Sequence, residues 1–189
     1  MNSINSNFIE HQSVIGMVHA ECLEMIRSVG GLMVEVLMRG GTIFWCGNGG
    51  SAADSQHMAG ELVGRFKGER RALRSVALST DSSVLTCVAN DYSFDSVFAR
   101  QIEAHGRQGD LLVGISTSGK SENVIRALYA AKKLGLYTTG LLGNDGGEAK
   151  LIVDHAIVIP SNTTARIQEA HILVGHCLCD LIEEGLSLA

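Results

Sequence analysis

Thr42-Ile43-Phe44-Trp45-Cys46-Gly47-Asn48-Gly49-Gly50-Ser51 runs from an apolar stretch into a glycine-rich turn. A second stretch repeats the design: Leu111-Leu112-Val113-Gly114-Ile115 leads into Ser116-Thr117-Ser118-Gly119-Lys120-Ser121. Helix-forming sequence follows both. A short apolar run, a tight turn and a helix form the unit from which parallel sheets are assembled. Backbone N–H groups at a helix start, joined by short hydroxyl side chains, make a ready anion site. Two such loops in one small domain, beside a helix bearing His57 and Glu61, suggest an enzyme acting on a sugar phosphate.

Outward from these loops the pattern alternates. Strands are predicted at 42–46, 74–79, 110–115, 137–142 and 155–159, and helices at 51–65, 82–89, 94–105, 121–134 and 164–184. The fold expected is α/β: a doubly wound, five-stranded parallel sheet flanked by helices. Right-handed crossovers would place every loop that follows a strand on one sheet edge. Ligands bind there, near the point where strand order reverses. Upstream, residues 3–29 read as one long helix, with Ile4, Phe8, Val14, Ile15, Val18, Leu23, Met25 and Ile26 as its apolar positions. Gly30-Gly31 is read as its break, before a second helix over 32–39. So long a helix exceeds what one sheet face needs. A single domain over 1–189 is therefore expected, with residues 1–40 forming a helical arm at a subunit interface.

Composition narrows the function. Fifteen Lys and Arg stand against 20 acidic residues, which argues against general nucleic-acid binding. A local basic group, Arg65, Lys67, Arg70, Arg71 and Arg74, reads as solvated or interface surface, or as an active-site rim. The five cysteines show no zinc or redox spacing, and Cys177 and Cys179 are expected to pack in the core. The polar start, Met1 to Asn7, lacks the features of a signal peptide. No apolar run approaches the ~20 residues of a membrane span. These features predict a cytoplasmic protein with reduced thiols and no membrane partner.

Two nucleotide motifs match in part. Gly47-Asn48-Gly49-Gly50-Ser51-Ala52 fits a dinucleotide fingerprint, but its acidic partner should lie about 20 residues on, and Asp81 lies farther. Gly114 to Ser121 fits the P-loop pattern. Its first glycine, however, falls inside the apolar run, its loop is filled with hydroxyls, and Leu151-Ile152-Val153-Asp154 offers only a weak metal-binding Asp. No nucleotide cofactor is expected. Ligand-free readings also exist, a tight turn and a Ser-rich cap, although one cap uses one Ser rather than four.

The remaining candidates lie on helices. His57 and Glu61, four apart, share a helix face. Such a pair can chelate a divalent metal or act in acid–base chemistry, or it can be an ordinary surface contact. On the last helix Gln168 and His176 are offset by about 80° and can point roughly the same way. His171 lies on another side, as a structural histidine would. Asn90-Asp91-Tyr92 reads as a turn with an N-cap at Asp91, or as a contact to sugar hydroxyls.

Taken together, Cys46 to Asp54, His57 to Leu62, Ala89-Asn90-Asp91, Gly114 to Gly119 and Arg166 to His171 resemble the sugar isomerase (SIS) domain family, and within it the isomerases of seven-carbon sugar phosphates. The likeness spans nearly the whole chain. It implies interconversion of sedoheptulose 7-phosphate and D-glycero-D-manno-heptose 7-phosphate for bacterial surface glycans. It also implies a homotetramer with active sites between subunits, and one zinc ion held by His57, Glu61, Gln168 and His176. Substrate contacts are implied at Asn48, Gly49, Gly50, Ser51, Glu61, Asn90, Asp91, Ser116, Thr117, Ser118, Ser121 and Gln168. The chemistry of moving a carbonyl from C2 to C1 fits Glu61 as base and His176 as its acid–base partner. The alternative is a non-catalytic family member that binds a replication initiator or senses a sugar phosphate.

Overall fold

Alternation along β1 (Ile43–Gly47) sets the two faces of the sheet. Ile43 and Trp45 join one buried cluster while Phe44 and Cys46 join the other, as a period of two requires. The computed structural model describes residues 3–187. In chain order its remaining elements are α1 (Ser3–Glu21), α2 (Leu23–Met38), α3 (Gly50–Val63), β2 (Ser75–Ala77), α4 (Ser82–Asp91), a short 3-10 turn (Phe94–Ser96), α5 (Ala99–His105), β3 (Leu111–Ser116), α6 (Glu122–Lys133), β4 (Tyr137–Gly143), α7 (Ala149–Ile152), β5 (His155–Ile159) and α8 (Thr164–Gly185). The five strands pair in parallel in the order β2-β1-β3-β4-β5. Strand order therefore reverses between β1 and β3, and the loops after these two strands flank the reversal.

α1, α2, α3 and α8 cover one face through side chains such as Val18, Met33, Met58 and Val174. α4, α5, α6 and α7 cover the other through Val88, Ile102, Leu128 and Ile152. β1, β3 and β4 are buried on both sides along nearly their whole length, which is why their sequences read as nearly continuous apolar runs, while at the edge Val76 of β2 is 43% exposed. Among the described residues no helix is long and apolar enough to cross a membrane.

Three expectations are corrected here. The helical break falls at Cys22, and Gly30-Gly31 lies inside α2. Gly30 serves contact rather than termination: a Cβ there would stand 2.6 Å from Cδ1 of Leu181 on α8. Cys179 is buried but Cys177 is exposed, so only one of the pair packs in the core. Asp91 ends α4 and does not cap a following helix. The N-cap in this region is Asp81, whose carboxylate accepts from the Val84 N–H at 3.0 Å.

His171 is a core residue, 1% exposed, with Nε2 3.0 Å from the Leu142 carbonyl oxygen. Burial pushes its imidazolium from 6.5 down to about 4, opposed only in part by the bond to Leu142. The folded ring stays neutral while an unfolded chain protonates. Stability should therefore fall as pH drops from 6.5 toward about 4, by about 3 kcal/mol at the acid end. Urea unfolding of wild type and His171→Gln across this range should give the variant a flatter acid limb. Identical limbs would remove His171 from the account.

Candidate active site

The two loops are held side by side at the strand reversal. Gly49 takes φ +56, and among the described residues no side chain caps the start of α3. The Ser51 and Ala52 N–H groups turn back to the Asn48 and Gly49 carbonyls at 3.0 and 3.1 Å, which leaves those of Gly49 and Gly50 available to an anion. Asn48 and Asn123 exchange two amide hydrogen bonds, each 2.8 Å, which tie the first loop to the opening turn of α6. In the second loop Ser116 Oγ lies 3.1 Å from Ser121 Oγ and accepts from the Gly119 N–H at 3.1 Å. Ser118 Oγ accepts from the Lys120 N–H at 3.2 Å. The hydroxyls therefore shape the loop as well as lining it.

Behind this loop stands the turn Gly143-Asn144-Asp145-Gly146-Gly147. Asn144 Nδ2 donates to the Thr117 carbonyl at 2.7 Å, and the Ala149 N–H donates to the Gly119 carbonyl at 3.0 Å. Gly119, at φ +63, approaches so closely that a Cβ would lie 1.9 Å from the Gly146 carbonyl oxygen. Gly114 lies within β3, paired with Gly140 of β4, so the strand does not end where a P-loop requires.

Further along α3, His57 Nε2 lies 3.0 Å from Glu61 Oε1, as the spacing of four predicts. From α8, His176 places Nε2 3.4 Å from His57 Nε2. Donor atoms of His57, Glu61 and His176 all lie within 4.8 Å of one another. Tetrahedral zinc with bonds of about 2.0–2.1 Å spaces its donors by about 3.3 Å, so these nitrogen and carboxylate atoms fit such an ion. One turn before His57, Asp54 keeps Oδ2 buried without a hydrogen-bond partner. Burial pushes its carboxyl pKa up, opposed by His57.

Gln168 lies at the other end of the site. Its Nε2 stands 2.3 Å from where a Cβ on Gly50 would be, so its amide rests against the first loop. Its backbone is about 12 Å along α8 from His176. Asn90 and Asp91 are exposed at the end of α4, with Asn90 Nδ2 donating to Asp91 Oδ1 at 2.8 Å.

The basic group divides. Arg65, Lys67, Arg71 and Arg74 are exposed, but the Arg70 side chain is 0% exposed and its Nε lies 2.8 Å from Glu183 Oε1, itself 3% exposed. Reading Arg70 as surface is corrected: its partner lies on α8, far away in sequence. Sequence reasoning also missed Phe66, whose ring stacks on His176 at 5.3 Å between centroids and 19° between planes. Glu183 did leave a signal, because it falls on the buried stripe of α8 with Cys179 and Ile182.

A doubly wound sheet with a glycine-rich loop and a hydroxyl-rich loop flanking its reversal, and a His/Glu cluster farther along the helix after the first loop, is the layout of an SIS-type domain. The SIS domain family model matches residues 8–143. A phosphoheptose isomerase of Nitratiruptor sp. is 53% identical over 185 residues, covering 98% of this chain and 99% of the relative. The structure of the Neisseria gonorrhoeae phosphoheptose isomerase superposes with a TM-score of 0.92 at 43% identity, covering 96% of this chain and 97% of that one. The Francisella tularensis phosphoheptose isomerase gives 0.94 at 35% identity, with 97% of both chains covered. The chain belongs to the phosphoheptose isomerase family of SIS-domain enzymes.

Proposed function

We propose that this enzyme interconverts D-sedoheptulose 7-phosphate and D-glycero-D-manno-heptose 7-phosphate through an enediol, supplying heptose for bacterial surface glycans. The observation that carries the reading is the convergence of Glu61 and His176 from different helices, with Glu61 on the helix that the first phosphate-type loop opens. A purely binding domain has no need of that convergence. The 7-phosphate is anchored by the N–H groups of Gly49 and Gly50 and by Ser51, Ser116, Thr117, Ser118 and Ser121. Asn48, Asn90, Asp91, Gln168 and Glu61 contact the sugar. Anchoring the far end lets its binding energy orient the reacting end. The Glu61 carboxylate takes the proton from C1 of the ketose, and His176 protonates the oxygen at C2. In the enediol the proton returns to C2 while His176 accepts one from the oxygen at C1, which completes the aldose.

His57, Glu61 and His176 would hold a zinc ion, and because Gln168 sits about 12 Å along α8 from His176, a fourth donor from Gln168 would come from a neighbouring subunit. When bound, zinc supplies Lewis acidity toward the sugar's carbonyl oxygen. A homotetramer with active sites between subunits fits the outer face of α1, where Phe8 and Ile9 are 65% and 49% exposed. The cytoplasm suits five cysteines that are all unbridged.

Incubating the purified protein with sedoheptulose 7-phosphate and following aldoheptose formation tests the reaction. Turnover is expected, with a loss after chelation that added zinc restores. A folded, zinc-supplied protein that makes no aldoheptose defeats the enzyme reading. Turnover indifferent to chelation removes the metal and leaves Glu61 in place.

A further inference from the structure

α3 and α8 each contribute one end of the acid–base cluster, so something must fix the distance between them. The segment from Gly64 to Arg71 crosses from the end of α3 over α8, and one carboxylate gathers it. Glu183 Oε1 accepts from the Phe66 N–H at 3.2 Å and from Arg70 Nε at 2.8 Å, while Oε2 accepts from the N–H groups of Lys67 at 3.2 Å and Gly68 at 3.1 Å. Arg70 then reaches the other way. Its Nη2 donates to the Glu61 carbonyl at 2.7 Å and its Nη1 to the Leu62 carbonyl at 2.9 Å. These belong to the last turn of α3, whose carbonyls have no partner within the helix. The segment so held carries Phe66, whose ring lies flat against His176.

We propose that Arg70, Glu183 and Phe66 form a clamp of positioning residues that fixes Glu61 and His176 at their working separation. Resting on the isomerase reading above, it assigns a task to three side chains that touch neither substrate nor metal. Arg70 holds the Glu61 backbone, Glu183 holds the strap to α8, and the Phe66 ring sets the plane of the His176 imidazole. Supporting groups of this kind typically change metal affinity or activity by about 10–100-fold when lost.

Phe66 is the position to test, because it is only partly buried and its replacement leaves the ion pair intact. Phe66→Leu removes the flat ring and Phe66→Tyr keeps it. Zinc affinity, measured by competition with a chromophoric chelator, should weaken about 10–100-fold in Phe66→Leu. The kcat should fall in the same range, while KM and melting temperature stay near wild type, and Phe66→Tyr should recover both losses. Glu183→Gln, provided it folds, should move zinc affinity in the same direction. Wild-type zinc affinity and kcat in Phe66→Leu would overturn the clamp, as would losses that track melting temperature or that Phe66→Tyr shares. If wild type itself fails to isomerise the sugar, the proposed reaction falls, and the zinc measurement still judges the clamp.

Discussion

Glu61→Gln is expected to lower kcat by about 10²–10⁴-fold with the fold intact, because the amide keeps the size of the carboxylate but cannot accept a proton. The side chain is 22% exposed and its hydrogen-bond partner is His57, at 3.0 Å. The Arg70 contact is to the backbone carbonyl of Glu61 and survives the change. His176→Gln should produce a loss of similar size. The double variant should be little worse than the poorer single one, since groups acting as a unit are not additive. Initial rates of aldoheptose formation, with circular dichroism to verify folding, supply the check. Wild-type turnover in Glu61→Gln would take the role of base away from this carboxylate.

The second large effect is on stability. Arg70 and Glu183 are 0% and 3% exposed, and removing one partner leaves the other as an uncompensated buried charge. Glu183→Ala should destabilise the fold by about 3–5 kcal/mol and lower the melting temperature by on the order of 10 °C. Replacing both, as in Arg70→Met/Glu183→Leu, should recover much of the loss. A double variant no more stable than Glu183→Ala would show that the strap's N–H bonds matter more than the charge pair. Burial alone would raise the Glu183 carboxyl. The N–H of Gly68, the Arg70 guanidinium and the N–H groups of Lys67 and Phe66 outweigh it and hold the carboxyl below its ordinary 4.5. Its contribution is therefore present above about pH 4.5 and is lost as pH falls through the lowered value.

Much of this was legible in the sequence, for identifiable reasons. The strands are short, apolar and β-branched, and all five emerge within a few residues of their expected limits. The His57/Glu61 pair follows from helical periodicity, and the meeting with His176 follows once α3 and α8 share a sheet face. What stayed hidden depends on distance along the chain. Gly30 has the same letter whether it breaks a helix or admits Leu181. Arg70 looks like its exposed neighbours until Glu183 is brought to it. α7 spans four residues, too few for any period to register. Phe66 gives no local sign of stacking on a ring from the last helix.

α8 carries Gln168 against the first loop, His171 in the core, His176 in the cluster and Glu183 in the clamp. Because each helical residue advances the azimuth by about 100°, deleting or inserting a single residue between positions 168 and 183 would swing everything after it out of alignment at once. Length variation among descendants of this enzyme should therefore be tolerated in surface turns and purged from its last helix.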